Sequence, residues 1–413
     1  MMTGLFKPVK KPVIRHLSAP GGDIGPYRPQ YSAKTAPCTG ACPSVGDIRG
    51  WLTAVADAEA NLRTPEQALR SAWEKISARN PFPSVCGRVC PADCEQVCPR
   101  EAKDGAVAIR AFERYIGDLA LELAPISHTP PADVAQGVPS GPVPVVSRLV
   151  STPFRGCDTV SKTGVGMSAD AAGTGPEGTP CATSPQPNPC EKWGLGLAHG
   201  LTPAVQAAGR REAAVSGAGP AGLSCACQLA RRGWRVTVFD AAEPGGFLRA
   251  LPGLPAEILD REIARITALG VTLRPEPAPG VVAFTDPGGT LAKLPHLIAE
   301  GRIAAEAFDN AARGLAPEKR DAPPRVAPDR IKTSWYVEAP RHEEIRNESD
   351  AVAEARRCFA CGTCMGCGNC WMYCSNGCFE KTPKGNRFKL KIELCHGCSR
   401  CAEECPSGYI DML

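Results

Sequence analysis

Arg357–Thr382 reads RCFACGTCMGCGNCWMYCSNGCFEKT, and seven of its residues are cysteine (Cys358, Cys361, Cys364, Cys367, Cys370, Cys374 and Cys378). Three chemistries use thiols so closely spaced: a disulfide framework, a zinc site or an iron–sulfur cluster. The 413-residue chain carries 22 cysteines, a density that suits secretion when an export signal accompanies it. Its start, MMTGLFKPVKKPVIRHL, is basic but has no apolar core, so it does not read as a signal peptide. The expectation is a reducing cytoplasm in which thiolates hold metal. The distribution agrees. Six cysteines lie in 38–98, eleven in 358–405, and only Cys157, Cys181, Cys190, Cys225 and Cys227 lie between, with no ligand spacing.

Spacing narrows the choice. Cys364-x2-Cys367-x2-Cys370-x3-Cys374 has the form used by bacterial ferredoxins, and Cys395-x2-Cys398-x2-Cys401-x3-Cys405-Pro406 repeats it. In such pairs the fourth cysteine of each run ligates the other run's cluster. One 4Fe–4S cluster is then expected on Cys364, Cys367, Cys370 and Cys405, the second on Cys395, Cys398, Cys401 and Cys374. Zinc would use four cysteines in two C-x2-C pairs and leave the x3 cysteine unexplained. Ser375 stands where the first run's proline is usual. Cys358, Cys361 and Cys378 remain. Three thiols are one short of a cube, and the simpler reading is spare or structural cysteine.

At the other end, APCTGACPSVGDIRGWL is followed by NPFPSVCGRVCPADCEQVCPREAKDGAVAIRAFERYIGD. Residues 36–118 resemble the N-terminal iron–sulfur domain of the glutamate synthase small subunit and of dihydropyrimidine dehydrogenase, with NPFP, CGRVCP, CE and AIRAFERYI in order. The resemblance implies a helical domain with two clusters. One would take Cys42, Cys90, Cys94 and a side chain on the next helix, here Glu113. The other would take Cys98 and three upstream cysteines, of which only Cys38 is present. With Cys86 as substitute that set is still one short, so one N-terminal cluster is expected and the second is incomplete.

Between the cysteine groups, EAAVSGAGPAGLSCACQLARRGWRVTVFDAAEPGG places Gly217, Gly219, Pro220 and Gly222 between an apolar run and a helix, with Asp240 closing a second strand and Gly245–Gly246 after it. Glycines there permit a tight turn and close approach of a pyrophosphate to the helix N-terminus, while the acid can accept from a ribose hydroxyl. The residues alone leave FAD and NAD open. VVAFTDPGGTLAKLPHLIAEGRIAAEAFDNAA resembles the closing flavin motif of glutamate synthase small subunits, which implies FAD, with Asp286 and the Gly288–Gly289 turn near the ribityl–phosphate chain and Gly301 on the helix behind. In that family an NAD(P)H-binding domain separates the two flavin segments. Here only PAPG stands between LGVTLRPE and VVAFTD, and no second GxGxxG lies between or after them.

The expected chain is multidomain. An α-helical iron–sulfur domain (36–124) precedes a Pro/Gly-rich linker (125–209) whose composition cannot bury a core. A truncated α/β Rossmann-like FAD-binding domain (210–314) and an α+β bacterial-type ferredoxin domain with two 4Fe–4S clusters (328–413) follow. Helices are expected from Thr64 or Pro65 and over Val107–Leu123. A formal charge of +4 without dense basic runs argues against nucleic acid, and no apolar run of 18 residues offers a membrane span. The six histidines are scattered and no Ser/His/Asp grouping appears, so substrate chemistry is expected on a partner.

The order of modules resembles flavin–iron–sulfur subunits of 2-oxoacid:ferredoxin-type oxidoreductases and of dissimilatory sulfite reductase. The last 80 residues, with IKTSWYVEAPRH ahead of the cysteines, resemble the delta subunit of pyruvate:ferredoxin oxidoreductase. This implies an electron-transfer subunit carrying FAD and 4Fe–4S clusters, its partner a thiamine-diphosphate 2-oxoacid oxidoreductase, or else a sulfite-reductase-like or metal-containing enzyme, with ferredoxin as a further partner. The alternative is a docking scaffold whose flavin fold has decayed.

Overall fold

The computed structural model describes residues 25–59, 62–122, 144–146, 201–203, 211–276, 282–284, 290–316, 323–382 and 388–413. Helix formation near the N-terminus follows local chemistry. Thr64 caps helix Pro65–Ser77: its hydroxyl accepts from Gln67 N at 3.2 Å and Gln67 Oε1 accepts from Thr64 N at 3.1 Å, with Pro65 and Glu66 in the first turn. This reciprocal cap satisfies two amides that a helix start leaves unpaired. Helix Ile48–Ala56 is capped by Asp47 and buries Ile48, Trp51, Leu52 and Val55. Trp51 stacks on Phe112 of helix Ile109–Glu122, centroids 5.3 Å apart.

The same core takes in Ala351 and Ala355 of helix Glu348–Arg356. The boundary expected at residue 328 therefore does not separate two cores. A buried charge network seals the junction: Arg357 donates to the carbonyls of Gly105 (2.7 Å) and Ala106 (3.0 Å) and to Glu354 (2.7 Å), while Glu354 accepts from the amides of Ala108 and His342. Charges can stay buried at this cost only when each is paired and hydrogen-bonded.

The central domain is a parallel sheet. Strands β4 (Glu212–Ser216), β5 (Arg235–Phe239), β6 (Val271–Arg274) and β7 (Val282–Ala283) lie in the order β6-β5-β4-β7, with Val215 beside Val238 and Val238 beside Leu273. Helix Pro220–Arg231 crosses from β4 to β5 and helix Ala256–Thr267 from β5 to β6. Strand order 3-2-1-4 is the dinucleotide-binding arrangement. Helix Leu294–Ala312 packs on helix Pro220–Arg231. Phe82, Val85, Cys86 and Val89 of the helical domain complete this core, so the two domains share it. Cys225 and Cys227 are buried within it as small apolar side chains.

The C-terminal domain folds around two short helices, Asn369–Tyr373 and Arg400–Glu403, and the pair β8 (Phe379–Glu380) with β9 (Lys389–Leu390). Its last strand, β10 (Ile410–Met412), pairs antiparallel with β1 (Pro29–Tyr31) from the other end of the chain. Lys34 is buried there and its Nζ donates at 2.7 Å both to Gly408 O and to Asp411 Oδ1. In the 125–209 stretch the described residues are β2 (Pro144–Val146) and β3 (Leu201–Pro203), which pair antiparallel. The rest of the expected linker lies outside the described residues, as do Asp286 and Gly288–Gly289. No described helix is long and apolar enough to cross a membrane.

Candidate redox sites

At the carboxyl edge of the sheet, Gly217 takes φ +98° between β4 and helix Pro220–Arg231. A Cβ on Gly222 would run into the carbonyl oxygen of Gly217. The turn thus leaves bare backbone at a helix N-terminus whose first residue is Pro220, the cradle a pyrophosphate needs. Asp240 ends β5 and accepts from Ala218 N at 2.6 Å and Ala242 N at 2.9 Å. Its carboxylate therefore braces the turn. Gly245 N donates to Ala218 O at 2.8 Å, closing Gly245–Gly246 over the same loop. Gly301 has a different role: a Cβ there would strike Ala221 O on the neighbouring helix, so its place is helix packing and not cofactor contact. The residues present fit a dinucleotide.

The C-terminal thiols stand around two cavities. Cys364, Cys367, Cys370 and Cys405 line one, with Tyr31, Phe388 and Tyr409. Cys374, Cys395, Cys398 and Cys401 line the other, joined there by Cys378. Each cavity thus receives three thiols from one run and the fourth from the other. Backbone amides point at the sulfurs, Tyr409 N to Cys405, Gly397 N to Cys395 and Cys378 N to Cys374, all at 3.3 Å. Burial, with neighbouring thiols adding to it, pushes Cys367 up to about 11 and Cys401, whose backbone neighbour opposes the shift, to about 12. Such thiols become thiolates only when a cation takes them. Among the described residues no three His, Cys, Asp or Glu side chains converge as a single-ion site requires. The donors surround a volume instead, which suits a polynuclear cluster.

In the helical domain, Cys42, Cys86, Cys90 and Cys94 gather about Glu113. Glu113 is half-buried; desolvation pushes its carboxyl up to about 7 although Asn80 Nδ2 donates to it at 2.9 Å. Cys86 therefore belongs with Cys42, Cys90 and Cys94, and is not a substitute beside Cys38 and Cys98 as the sequence reading had it. The reason is local. Cys86 lies on helix Pro83–Val89, one turn before Cys90, whose amide bonds to its carbonyl at 2.9 Å. The site adjoins the flavin fold, because Cys86 is part of the shared core and His296, at the start of helix Leu294–Ala312, faces Asp93.

A family model described as dihydropyrimidine dehydrogenase domain II, 4Fe–4S cluster, matches residues 31–124, and one described as FAD dependent oxidoreductase matches 212–278. The beta subunit of an NADP(+)-dependent formate dehydrogenase from Moorella thermoacetica is 31% identical over 257 residues, 61% of this chain and 27% of that protein. The PreT subunit of an NAD-dependent dihydropyrimidine dehydrogenase from Escherichia coli K12 is 48% identical over 65 residues, 15% of this chain and 16% of that one. The small chain of glutamate synthase [NADPH] from Azospirillum brasilense is 37% identical over 86 residues, 20% of this chain and 16% of that protein. The chain thus spans less than a third of each of these relatives. These matches give it iron–sulfur and FAD-dependent oxidoreductase domains, with 4Fe–4S clusters and FAD as cofactors.

Proposed function

We propose that the chain is the electron-transfer subunit of a multi-subunit oxidoreductase whose substrate chemistry lies on a partner. FAD exchanges electrons in pairs and the clusters carry them singly. The glycine turn and Asp240 hold the dinucleotide. Cys42, Cys86, Cys90, Cys94 and Glu113 supply donors beside the flavin fold, and the eight thiols of a ferredoxin-type C-terminal domain hold two further clusters.

One observation carries the reading. Strands β6 and β7 belong to a single sheet, and residues 275–281 alone connect them. The position where a nicotinamide-binding domain would be inserted is thereby filled by a short connection. Hydride transfer needs the nicotinamide within about 3–3.5 Å of its acceptor, and nothing in the described residues provides a second dinucleotide cradle. The flavin of the purified chain is expected to bleach with dithionite and to stay oxidised with NADH or NADPH. Rapid bleaching by either nucleotide would refute the assignment, and a purified chain without flavin would support the scaffold alternative.

The partner is an oxidoreductase of the thiamine-diphosphate 2-oxoacid class, a proposal supported by the resemblance of the C-terminal residues to the delta subunit of pyruvate:ferredoxin oxidoreductase. A formate-dehydrogenase-type partner is favoured instead by the 257-residue match to such an enzyme's beta subunit. Co-purification from the native host, assayed with 2-oxoacids and with formate, separates the two.

A further inference from the structure

Four further cysteines are brought together by the fold. Cys38 and Cys98 come from the helical domain, Cys358 and Cys361 from the loop after helix Glu348–Arg356, and all four line one cavity. It is close in size to the two C-terminal cavities. The remaining lining is apolar (Leu52, Val107, Ile109 and Phe359 among it) apart from Arg49. We propose that this cavity holds a further 4Fe–4S cluster ligated by Cys38, Cys98, Cys358 and Cys361. The inference rests on the electron-transfer reading for its purpose, not for its ligands.

The backbone supplies the second observation. In Cys364-Met-Gly-Cys367 and Cys395-His-Gly-Cys398 the residue before the second cysteine is left-handed, with φ +72° at Gly366 and +71° at Gly397. In Cys358-Phe-Ala-Cys361 the same position is Ala360, and it too is left-handed, at φ +49°. Alanine, which carries a Cβ, is strained in that conformation. The turn also repeats its hydrogen bond: Ala360 N points at Cys358 Sγ at 3.4 Å as Gly397 N points at Cys395 Sγ at 3.3 Å. Two packed thiols would not need a strained ligand turn. A cluster would.

Position gives the site a purpose. Cys94, of the group beside the flavin fold, lies within electrostatic reach of Cys38. On the far side, only Gly362 and Thr363 separate Cys361 from Cys364, which lines the C-terminal cavity of Cys367, Cys370 and Cys405. The proposed cluster therefore stands between the flavin-side group and the C-terminal pair. Each transfer moves one electron in and one out, so the cluster returns to its starting state. Without it, the two ends of the relay have only protein between them.

The test uses the full chain, reconstituted anaerobically with iron and sulfide. With the Cys42 group and the two C-terminal clusters, the proposed site brings the total to about sixteen irons per chain. A Cys358→Ser/Cys361→Ser double variant should lose about four irons and one electron paramagnetic resonance signal after reduction, while flavin content and the C-terminal signals stay. Reduction of the C-terminal clusters through the flavin should slow at least tenfold. Unchanged iron and spectra in that variant would overturn the proposal and leave four packed thiols. Where the double variant does not fold, the native chain decides, and twelve irons or fewer would overturn it. Loss of flavin with sixteen irons intact would instead sink the electron-transfer reading and leave this site standing.

Discussion

The C-terminal and N-terminal cysteine groups use one side chain in opposite ways. In the C-terminal domain each run delivers three thiols from a single turn and short helix, and one thiol crosses over. In the helical domain the donors arrive from separate elements: Cys42 after one helix, Cys86 and Cys90 from a second, Cys94 from a third and Glu113 from a fourth. The cavity of Cys38, Cys98, Cys358 and Cys361 is the extreme case, drawing on both ends of the chain. A site built within a turn survives or fails with that turn. A site built between elements depends on whatever holds them, here Arg357, Glu354 and the helices they join.

The largest effects should come from sites of the first kind. Cys405→Ser removes one of four thiols from a cavity that holds no fifth, so that cluster should be lost outright, about four irons per chain, with the neighbouring one intact. Cys374→Ala should damage the other cluster, and less completely, because Cys378 is buried in the same cavity. Iron analysis and paramagnetic resonance of the two variants check this. Equal loss from both would mean that Cys378 cannot reach the iron.

Next in size is the flavin turn. A Cβ on Gly222 meets the Gly217 carbonyl, which is backbone and cannot step aside. Gly222→Ala should lower flavin occupancy more than tenfold, at least ~1.4 kcal/mol, with cluster content unchanged. Flavin retained at the native level would place the dinucleotide elsewhere.

Much of this was open to reading before any fold was known, and the line between what was and what was not is physical. Cys364, Cys367 and Cys370 are legible because three thiols gathered by one turn imprint their spacing on adjacent residues. Thr64 and Pro65 announce their helix because capping is local. The glycine turn and Asp240 are likewise one βαβ unit. The Cys38 cavity is not local, since its halves lie some 260 residues apart. A signal did exist: Cys38 with Cys98 was two donors short, and Cys358-x2-Cys361 was an unassigned pair of two. Cys86 misled because sequence order placed it among six cysteines without saying which face of its helix it shares. Gly301 misled because a motif records that glycine is required and not whether a cofactor or a neighbouring helix requires it.

Arg357 tests the sites of the second kind. Its side chain is fully buried, with six acceptors on three segments. Arg357→Met would leave Glu354 buried without its cation, a change that costs about 3–5 kcal/mol. The midpoint of guanidinium unfolding should fall accordingly, and the clusters of the helical domain should bleach before those of the C-terminal domain. Bleaching of all clusters together would show that the domains unfold as one unit.

The last test lies where the chain's first described strand meets its last, and its Tyr31→Phe arm carries the smallest effect. The Tyr31 ring stacks on Tyr409 at 5.5 Å, and its hydroxyl donates to Phe388 O at 2.8 Å. Tyr31→Phe keeps the stack and leaves one half-buried carbonyl without a donor, a loss of about 0.5–1.5 kcal/mol. Tyr31→Ala removes the ring as well, and large aromatic truncations in cores cost about 3–5 kcal/mol. Tyr31 also lines the cavity of Cys364, Cys367, Cys370 and Cys405, where its ring would shield a bound cluster. The pair of variants therefore separates strand pairing from shielding. If β1 matters only as a strand, both variants should lower the bleaching midpoint in proportion to their stability and leave the air-oxidation rate at low denaturant alone. If the ring is the lid, Tyr31→Phe should oxidise in air as the native chain does and Tyr31→Ala much faster. An unchanged midpoint in Tyr31→Ala would show that the C-terminal domain stands without the N-terminal strand, and would confine the joining of the chain's ends to the Arg357 seam.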